Sequence, residues 1–282
     1  MKTTSLIYDL HTHTVFSDGT LTPEELANRA HSKKVDCIAL TDHDTTQGLA
    51  SMRHHCDLNN IQFVPGVEIS AVWRNITLHI VGLQIDEGYL PLQQGLEKIR
   101  VERARRSHLI ADKLERAGIA NALTEVVELA GTEAATRTHF ARMLIQRRVV
   151  RDMREAFKKY LGKKGKAFVS GKWTDFSQVT KWIVDSGGYP VLAHPARYNM
   201  TRTKMHEFLK EFKEAGGVGI EVATSSHNLT EKKQAADFAN SFDLYASAGS
   251  DFHTPTHTRI DLGQYLSLPI LCKPVWTLWD SK

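Results

Sequence analysis

The sequence predicts an α/β fold: a barrel-like sheet of parallel strands, interrupted by an inserted helical module. Three observations carry this. Short apolar runs alternate with helical patterns over residues 1–97 and again over 171–282, which is the mark of strands joined by crossover helices. Between them, residues 98–170 lose the strand pattern and read as helix and short turns. Most of the apolar runs end in His, Asp or Glu, and in a parallel barrel all such ends open on one face.

The elements follow in order. Leu6–Leu10 reads as a buried strand ending in His-Thr-His. Thr22, Pro23 and Glu25 make an N-cap, a proline at the first helical position and a capping-box acid for a helix to Ser32. Val35–Leu40 is a second strand, followed by Thr-Asp-His-Asp and a helix from Thr46 to Leu58. Ile61–Val67 is a third, expected to end at Glu68; Ala71–Leu83 is a pair of strand segments turning near Arg74-Asn75. From Pro91 a long basic helix runs to Gly118, with short helices at Thr124–Ala130, Thr138–Arg147 and Met153–Leu161. Lys163–Lys166 is a basic return. Alternation then resumes: helix Asp175–Ser186, strand Tyr189–Ala193, helix Arg202–Ala215, strand Val218–Val222, helix Thr230–Ser241 and strand Leu244–Ala248.

Composition narrows the class. The chain has 282 residues, 41% of them apolar and 24% charged, which is ordinary for a globular protein with a large core. No apolar run reaches the ~18 residues of a membrane span. Residues 1–10 lack the apolar stretch of a signal peptide, and Cys37, Cys56 and Cys272 are far apart and form no Cys-x-x-Cys pair. Both features fit a cytoplasmic protein and exclude a disulfide scaffold or a cysteine zinc site. The net charge of +4 hides a partition. Residues 100–172 hold 18 Lys and Arg against 8 Asp and Glu, and the remainder holds 18 against 24. A basic insert on an acidic body attracts polyanions, and nucleic acid is the expected partner.

Fourteen histidines are present, and they are not evenly spread. His11, His13, Asp18, His43, Glu68, His79, His194, Asp251 and His253 lie at or near the ends of successive strands. Topology brings them to one face. His11 and His13, two apart on an extended segment, share one side. Imidazoles with carboxylates and no thiolate suit divalent manganese, iron or zinc. Nine such residues exceed the needs of one ion, so two or three are expected, with a carboxylate bridging. Each residue alone has a plainer reading: His79 as a strand residue, Asp18 as an Asp-Gly turn residue. Glu68, ending an apolar run, would be costly if buried unpaired. His31, His54, His55, His206, His227 and His257 are assigned no function, and the tryptophans read as core.

Taken together, Asp9-Leu-His-Thr-His13, Ser17-Asp-Gly19, Thr41-Asp-His-Asp44, Pro65-Gly-Val-Glu-Ile-Ser70, Leu192-Ala-His-Pro195 and Gly249-Ser-Asp-Phe-His253 resemble the PHP (polymerase and histidinol phosphatase) family of metal-dependent phosphoesterases. Thr136-Arg-Thr-His-Phe-Ala-Arg142 and the helical insert resemble its bacterial RNase AM / 3′,5′-nucleoside bisphosphate phosphatase subgroup. The resemblance implies a distorted (β/α)7 barrel and a trinuclear site, usually with manganese. It implies that His11, His13, Glu68 and Asp251 hold one ion. Glu68, His79 and His194 would hold a second, and Asp18, His43 and His253 a third.

The implied reaction is hydrolysis of a phosphate ester, from the 5′ end of RNA or at the 3′-phosphate of nucleoside bisphosphates, by hydroxide generated at the clustered ions. Glu68, His194, Asp251 and His253 form the expected catalytic set, and no residue is assigned as proton donor. Arg197, three residues after His194, can grip a phosphate bidentately, or else form a surface salt bridge. Arg137, His139 and Arg142 of the insert are expected to bind a second phosphate. One rival reading is a small-molecule phosphatase such as a histidinol-phosphate phosphatase, against which the basic insert argues. Another is a non-catalytic, metal-stabilised module docking on RNA or a polymerase, against which the full set of nine ligand types argues.

Overall fold

The structure, a computed structural model, describes residues 6–256 and 259–279; His257 lies outside the described residues. Eight strands form one sheet: β1 (Tyr8–Asp9), β2 (Cys37–Leu40), β3 (Gln62–Trp73), β4 (Ile76–Leu83), β5 (Thr174–Asp175), β6 (Tyr189–Leu192), β7 (Gly219–Thr224) and β8 (Tyr245–Gly249). The order is β1-β2-β3-β4-β6-β7-β8, with β5 paired to β3 off this path. The two ends of the sheet meet. Leu10 N donates to Ala248 O at 2.9 Å, and Asp251 N donates to His11 O at 2.8 Å. The sheet is therefore a nearly closed barrel, with helices α1 (Pro23–Ser32), α2 (Leu49–Leu58), α7 (Phe176–Asp185), α8 (Arg202–Glu214) and α9 (Leu229–Ser241) in its connections.

One strand runs the other way, and this corrects the expectation of parallel strands throughout. β4 is antiparallel to both neighbours, β3 and β6. Its cause is the hairpin at Arg74-Asn75. Both residues have positive φ, 45° and 69°, the geometry of a tight two-residue hairpin turn. A second correction concerns β3, which does not stop at Glu68 but continues to Trp73. Its first half pairs with β2 up to Pro65, and its second half pairs with β4 from Gly66 onward. Glu68 therefore lies beyond the last residue pair of β2, where the barrel opens. The expected helix over Met153–Leu161 is also divided, into a four-residue α6 (Met153–Ala156) and a wide π-type turn (Phe157–Leu161).

The barrel interior follows the two-residue period of its strands. Tyr8 and Leu10, Cys37 and Ala39, Val64, Val81 and Leu83, Val191 and Ala193 form one buried cluster. Trp276 stacks on Tyr8 with ring centroids 4.1 Å apart, and Trp279 packs at the same cluster. These two tryptophans are partly buried and pack against the core. The same alternate positions continue toward the opening. On β3 the row Val64, Gly66 reaches Glu68, and on β4 the row Leu83, Val81 reaches His79. Apolar residues thus plug the barrel, and polar ones succeed them where it opens.

Residues separate into two compact units, Met1–Gly95 with Thr174–Lys282, and Leu96–Trp173. The second unit is helical. It holds most of α3 (Leu90–Arg116), with α4 (Ala122–Ala130), α5 (Arg137–Gln146) and α6. Ile110, Leu114, Val126, Phe140, Leu144 and Leu161 centre its own core. Gly131, at φ 65°, ends α4 in the left-handed conformation that glycine adopts without strain. Thr136 caps α5 by accepting from Thr138 N and His139 N.

Gly249, at the end of β8, presses on the first histidine of the chain. A Cβ there would lie 2.4 Å from His11 Cβ and 2.7 Å from His11 N. Gly249→Ala should therefore cost about 1–3 kcal/mol through overpacking. Thermal unfolding is expected to show a midpoint several degrees lower; an unchanged midpoint would mean that His11 is not held against this strand.

Candidate metal centre

Glu68 is the hub of the open end. Its Oε2 lies 3.2 Å from His11 Nε2, 3.3 Å from His13 Nε2 and 3.0 Å from His43 Nδ1. Its Oε1 lies 2.8 Å from His79 Nδ1 and 3.0 Å from His194 Nε2. Asp251 Oδ1 stands 3.3 Å from His13 Nε2 and 3.5 Å from His253 Nδ1, and Asp18 Oδ1 stands 3.2 Å from His253 Nε2. All nine residues singled out in the sequence meet here.

Three overlapping sets bring their ligand atoms within 4.8 Å of one another: His11, His13, Glu68 and Asp251; His13, Asp18, His43 and His253; and His43, Glu68 and His79. The first set has the membership implied by the resemblance. The second contains Asp18, His43 and His253 and adds His13. In the third, His43 stands beside Glu68 and His79, whereas His194 approaches Glu68 Oε1 with its ring 5.3 Å from that of His79.

Local backbone explains how distant segments deliver these groups. Reversal of β4 puts its early residues at the opening, so His79 reaches Glu68 although it sits within an apolar strand. His194 (φ 27°) and Asp251 (φ 55°) occupy the left-handed region, rare for residues with side chains. Each stands just past a strand end. Asp251 is held there by its N–H to His11 O.

Several residues near the strand ends support the ligand-type groups through hydrogen bonds. Glu221 Oε1 accepts from or pairs with His11 Nδ1 at 2.6 Å, while its Oε2 accepts from His194 N at 2.5 Å. A carboxylate on the far nitrogen of an imidazole fixes the ring and leaves Nε2 for a cation. Asp42 accepts from Thr14 N, Thr14 Oγ1 and Ser17 Oγ at 2.5–2.7 Å, tying down the loop that carries Asp18. Asp44 accepts from Ser70 N at 2.7 Å. Tyr198 escaped the sequence reading: its hydroxyl accepts from His79 N at 2.9 Å. No spacing signal marks it, since the contact spans 119 residues.

The donor atoms fit divalent cations. His11 Nε2, His13 Nε2 and Glu68 Oε2 are buried, face one another at 3.2–3.3 Å, and have no hydrogen-bond partner among the described residues. Buried polar atoms in this condition are costly unless an ion satisfies them. The set is nitrogen and carboxylate oxygen only, which matches manganese, iron or zinc.

Of the expected phosphate-binding residues, Arg197 lies on the short turn Pro195–Arg197 and places Nη1 2.5 Å from Asp251 Oδ2. Its side chain is 44% exposed, so donors remain on the solvent side. Arg137, His139 and Arg142 all lie on α5 in the helical unit. His139 is buried, and its Nδ1 accepts from Thr136 N at 3.1 Å as the capping-box partner.

Residues 9–225 match the PHP domain family. The chain belongs to that family. This PHP protein is 43% identical to the 3′,5′-nucleoside bisphosphate phosphatase of Chromobacterium violaceum over 97% of its own length and 96% of the relative's. It is 41% identical to the 5′-3′ exoribonuclease Rnm of Escherichia coli, covering 98% and 95% of the two chains. Among solved structures, an amidohydrolase from Chromobacterium violaceum, determined with bound sulfate and no metal, superposes with a TM-score of 0.94 at 42% identity, covering 97% of this chain and 96% of the other. A Bifidobacterium adolescentis protein at 24% identity shares the fold, with a TM-score of 0.78 and coverage of 98% and 95%. No helix among the described residues of this PHP chain is long and apolar enough to cross a membrane.

The charges at the centre control one another. Burial alone would raise the Glu68 pKa, but His43, His11 and His79 outweigh it and hold the carboxyl well below its ordinary range. Burial opposes a charge on His11, yet Glu221, Glu68 and Asp251 lift its pKa well above that of free imidazole. His13 is likewise lifted to about 10, against burial, by Asp251 and Glu68. By contrast, burial keeps His79 and His194 below the ordinary value.

Two outcomes follow. His11 and His13 carry protons at neutral pH, and a cation must displace them. Manganese affinity should therefore rise with pH toward about 10 and fall as pH drops. Calorimetry at pH 7 in buffers of different ionisation enthalpy should show net proton release on binding; none would contradict the assigned protonation. Glu221→Gln should weaken manganese binding about 10–100-fold by loosening His11, measured by the same titration.

Proposed function

We propose that this protein is a metal-dependent phosphoesterase that hydrolyses RNA from its 5′ end, releasing nucleoside 5′-monophosphates, and removes the 3′-phosphate of 3′,5′-nucleoside bisphosphates. The observation that carries this reading is the three overlapping ligand sets, two of them sharing Glu68, at the open end of the barrel. The names of the relatives point to the same chemistry and to both substrates. The helical unit contributes the basic surface that a polyanion requires.

His11, His13, Glu68 and Asp251 hold one cation, Glu68 with His79, His43 and His194 a second, and Asp18, His43 and His253 a third. Manganese is the preferred occupant, with iron or zinc compatible with the same ligands. Divalent cations held there supply Lewis acidity that activates water and offsets charge on the phosphoryl oxygens. The chain's own residues do the rest. Glu68 belongs to two of the three sets and links them, and His13 and His43 link these to the third. Glu68, from within β3, and His194, Asp251 and His253, from just past β6 and β8, position the reacting phosphate. Arg197, anchored through Asp251, offers its free donors to a phosphoryl oxygen. Arg137 and Arg142 bind a second phosphate of the substrate, and His139 locks the start of α5 so that Arg137 is held in place. A cytoplasmic setting suits three buried cysteines far apart in the sequence.

The test is product analysis. RNA with a labelled 5′-phosphate should yield labelled nucleoside 5′-monophosphate as its first product. Turnover should vanish on chelation and return with Mn²⁺. Adenosine 3′,5′-bisphosphate should be turned over and histidinol phosphate much more slowly. First release of label from the 3′ end, or undiminished turnover after complete metal removal, would refute the proposal.

A further inference from the structure

Beside the metal centre, the barrel carries a cavity that the chemistry described so far leaves unused. It holds about 300 Å³ and is lined from the turn Pro195–Arg197, the segment after it, α8 and α9. Tyr198 and Met200 contribute from the segment after the turn, Met205 from α8, and Ala235 and Phe238 from α9. Polar groups stand among them. Glu231 and Gln234 follow the same stripe of α9 as Phe238. Glu231 Oε2 accepts from Asn228 N at 2.8 Å, which fixes the side chain and leaves Oε1 to a ligand. Arg202, at the start of α8, places its Cζ 5.8 Å from the Phe238 ring centroid.

The cavity adjoins the centre through a shared wall. Tyr198 sets its ring 5.6 Å from that of His194, and its hydroxyl accepts from His79 N at 2.9 Å. Arg197 lies in sequence between two cavity residues, Ala196 and Tyr198, and pairs with Asp251. A phosphate held by Arg197 therefore has the cavity beside it. The lining suits a planar heteroaromatic group. An aromatic ring offers a face, and the thioethers of Met200 and Met205 are polarisable and adapt to a ring edge. A carboxylate oxygen accepts hydrogen bonds, and a carboxamide both donates and accepts, so the polar edge of any nucleobase finds a partner. Positive charge at Arg202 suits a chain of phosphates leaving the cavity.

We infer that this cavity seats the nucleobase on the far side of the scissile phosphate, that of the second nucleotide of an RNA. This rests on the reading of the protein as a phosphoesterase of RNA ends and nucleoside bisphosphates. Release of a nucleoside 5′-monophosphate breaks the bond between phosphorus and the 3′ oxygen of the first nucleotide. Water gives its hydroxyl to phosphorus and a proton to that oxygen, so the phosphate stays on the 5′ oxygen of the second nucleotide. The second base is thus tethered to the group that Arg197 holds, next to the cavity. A 3′,5′-bisphosphate has no second base and leaves the cavity unused. The cavity therefore adds affinity for RNA alone. Stacking on Phe238 is open to every base, and purines gain more from it through their larger face.

Two substrates that differ by this nucleotide provide the test: the 5′-phosphorylated dinucleotide pApA and adenosine 3′,5′-bisphosphate, each with the full-length, manganese-loaded protein. Ala235→Leu fills the cavity. Phe238→Leu keeps an apolar side chain for the fold and removes only the aromatic face. Each should lower kcat/KM on pApA about 10-fold, the range for one lost base–aromatic stack, and leave the bisphosphate at the wild-type value. A dinucleotide lacking its second base should cost the wild type the same factor and the variants nothing further. Equal losses on pApA and on the bisphosphate, or an undiminished preference for pApA in either variant, would overturn the inference. Calorimetry on chelator-treated protein separates it from the reading it rests on. Wild type should bind pApA more tightly than the abasic form, and the variants should bind the two equally. A protein that shows this difference yet hydrolyses neither substrate would refute the enzymatic reading and leave the cavity assigned. One that hydrolyses both without the difference would do the reverse.

Discussion

Everything at the open end of this barrel depends on buried carboxylates set among imidazoles around common points. Glu68 is wholly buried, yet five histidines approach its two oxygens within 3.3 Å. An isolated carboxylate so placed would be driven to its neutral form by desolvation. Here the neighbouring imidazoles keep it charged, and it in turn keeps protons on His11 and His13. The cluster is balanced by protons or by cations, and cations satisfy the unbonded ring nitrogens and carboxylate oxygens that protons leave over.

The fold meets this constraint with ordinary devices placed at strand ends. Inward-facing positions are apolar along the lower barrel and become His and Glu at the opening, without any change of period. Reversal of β4 supplies His79 from a strand whose parallel counterpart would have carried it to the closed end. Positive φ at His194 and Asp251 turns two side chains back over the centre. Gly249 lets β8 approach His11 where any side chain would collide. Outside the ligands, Glu221, Asp42 and Asp44 accept hydrogen bonds that orient rings and loops. Such carboxylates look the same in the sequence as Glu68, Asp18 and Asp251 and differ from them only in what they face.

The helical unit has a different electrostatic character. Much of its positive charge is paired or solvated, as in the Arg147–Glu125 and Arg105–Glu102 pairs. Surface charge of that kind attracts polyanions from a distance but does not discriminate among them. Arg103 and Arg106, by contrast, are largely removed from water and lie over the Trp173 ring.

The sequence alone determined the ordering of strands and helices, the separation of a basic helical segment and the nine ligand-type residues, because hydrophobic period and strand-end polarity are local properties. It even located the Arg74-Asn75 turn. It did not determine the direction of β4 or the continuation of β3 past Glu68, since strand direction is set by pairing with partners far along the chain. Nor did it separate the ligands from Glu221, Asp42 and Asp44, or reveal Tyr198 behind His79. Those roles rest on contacts of about 2.5–3 Å between residues 26 to 210 positions apart, a distance that only the closing of the barrel brings about.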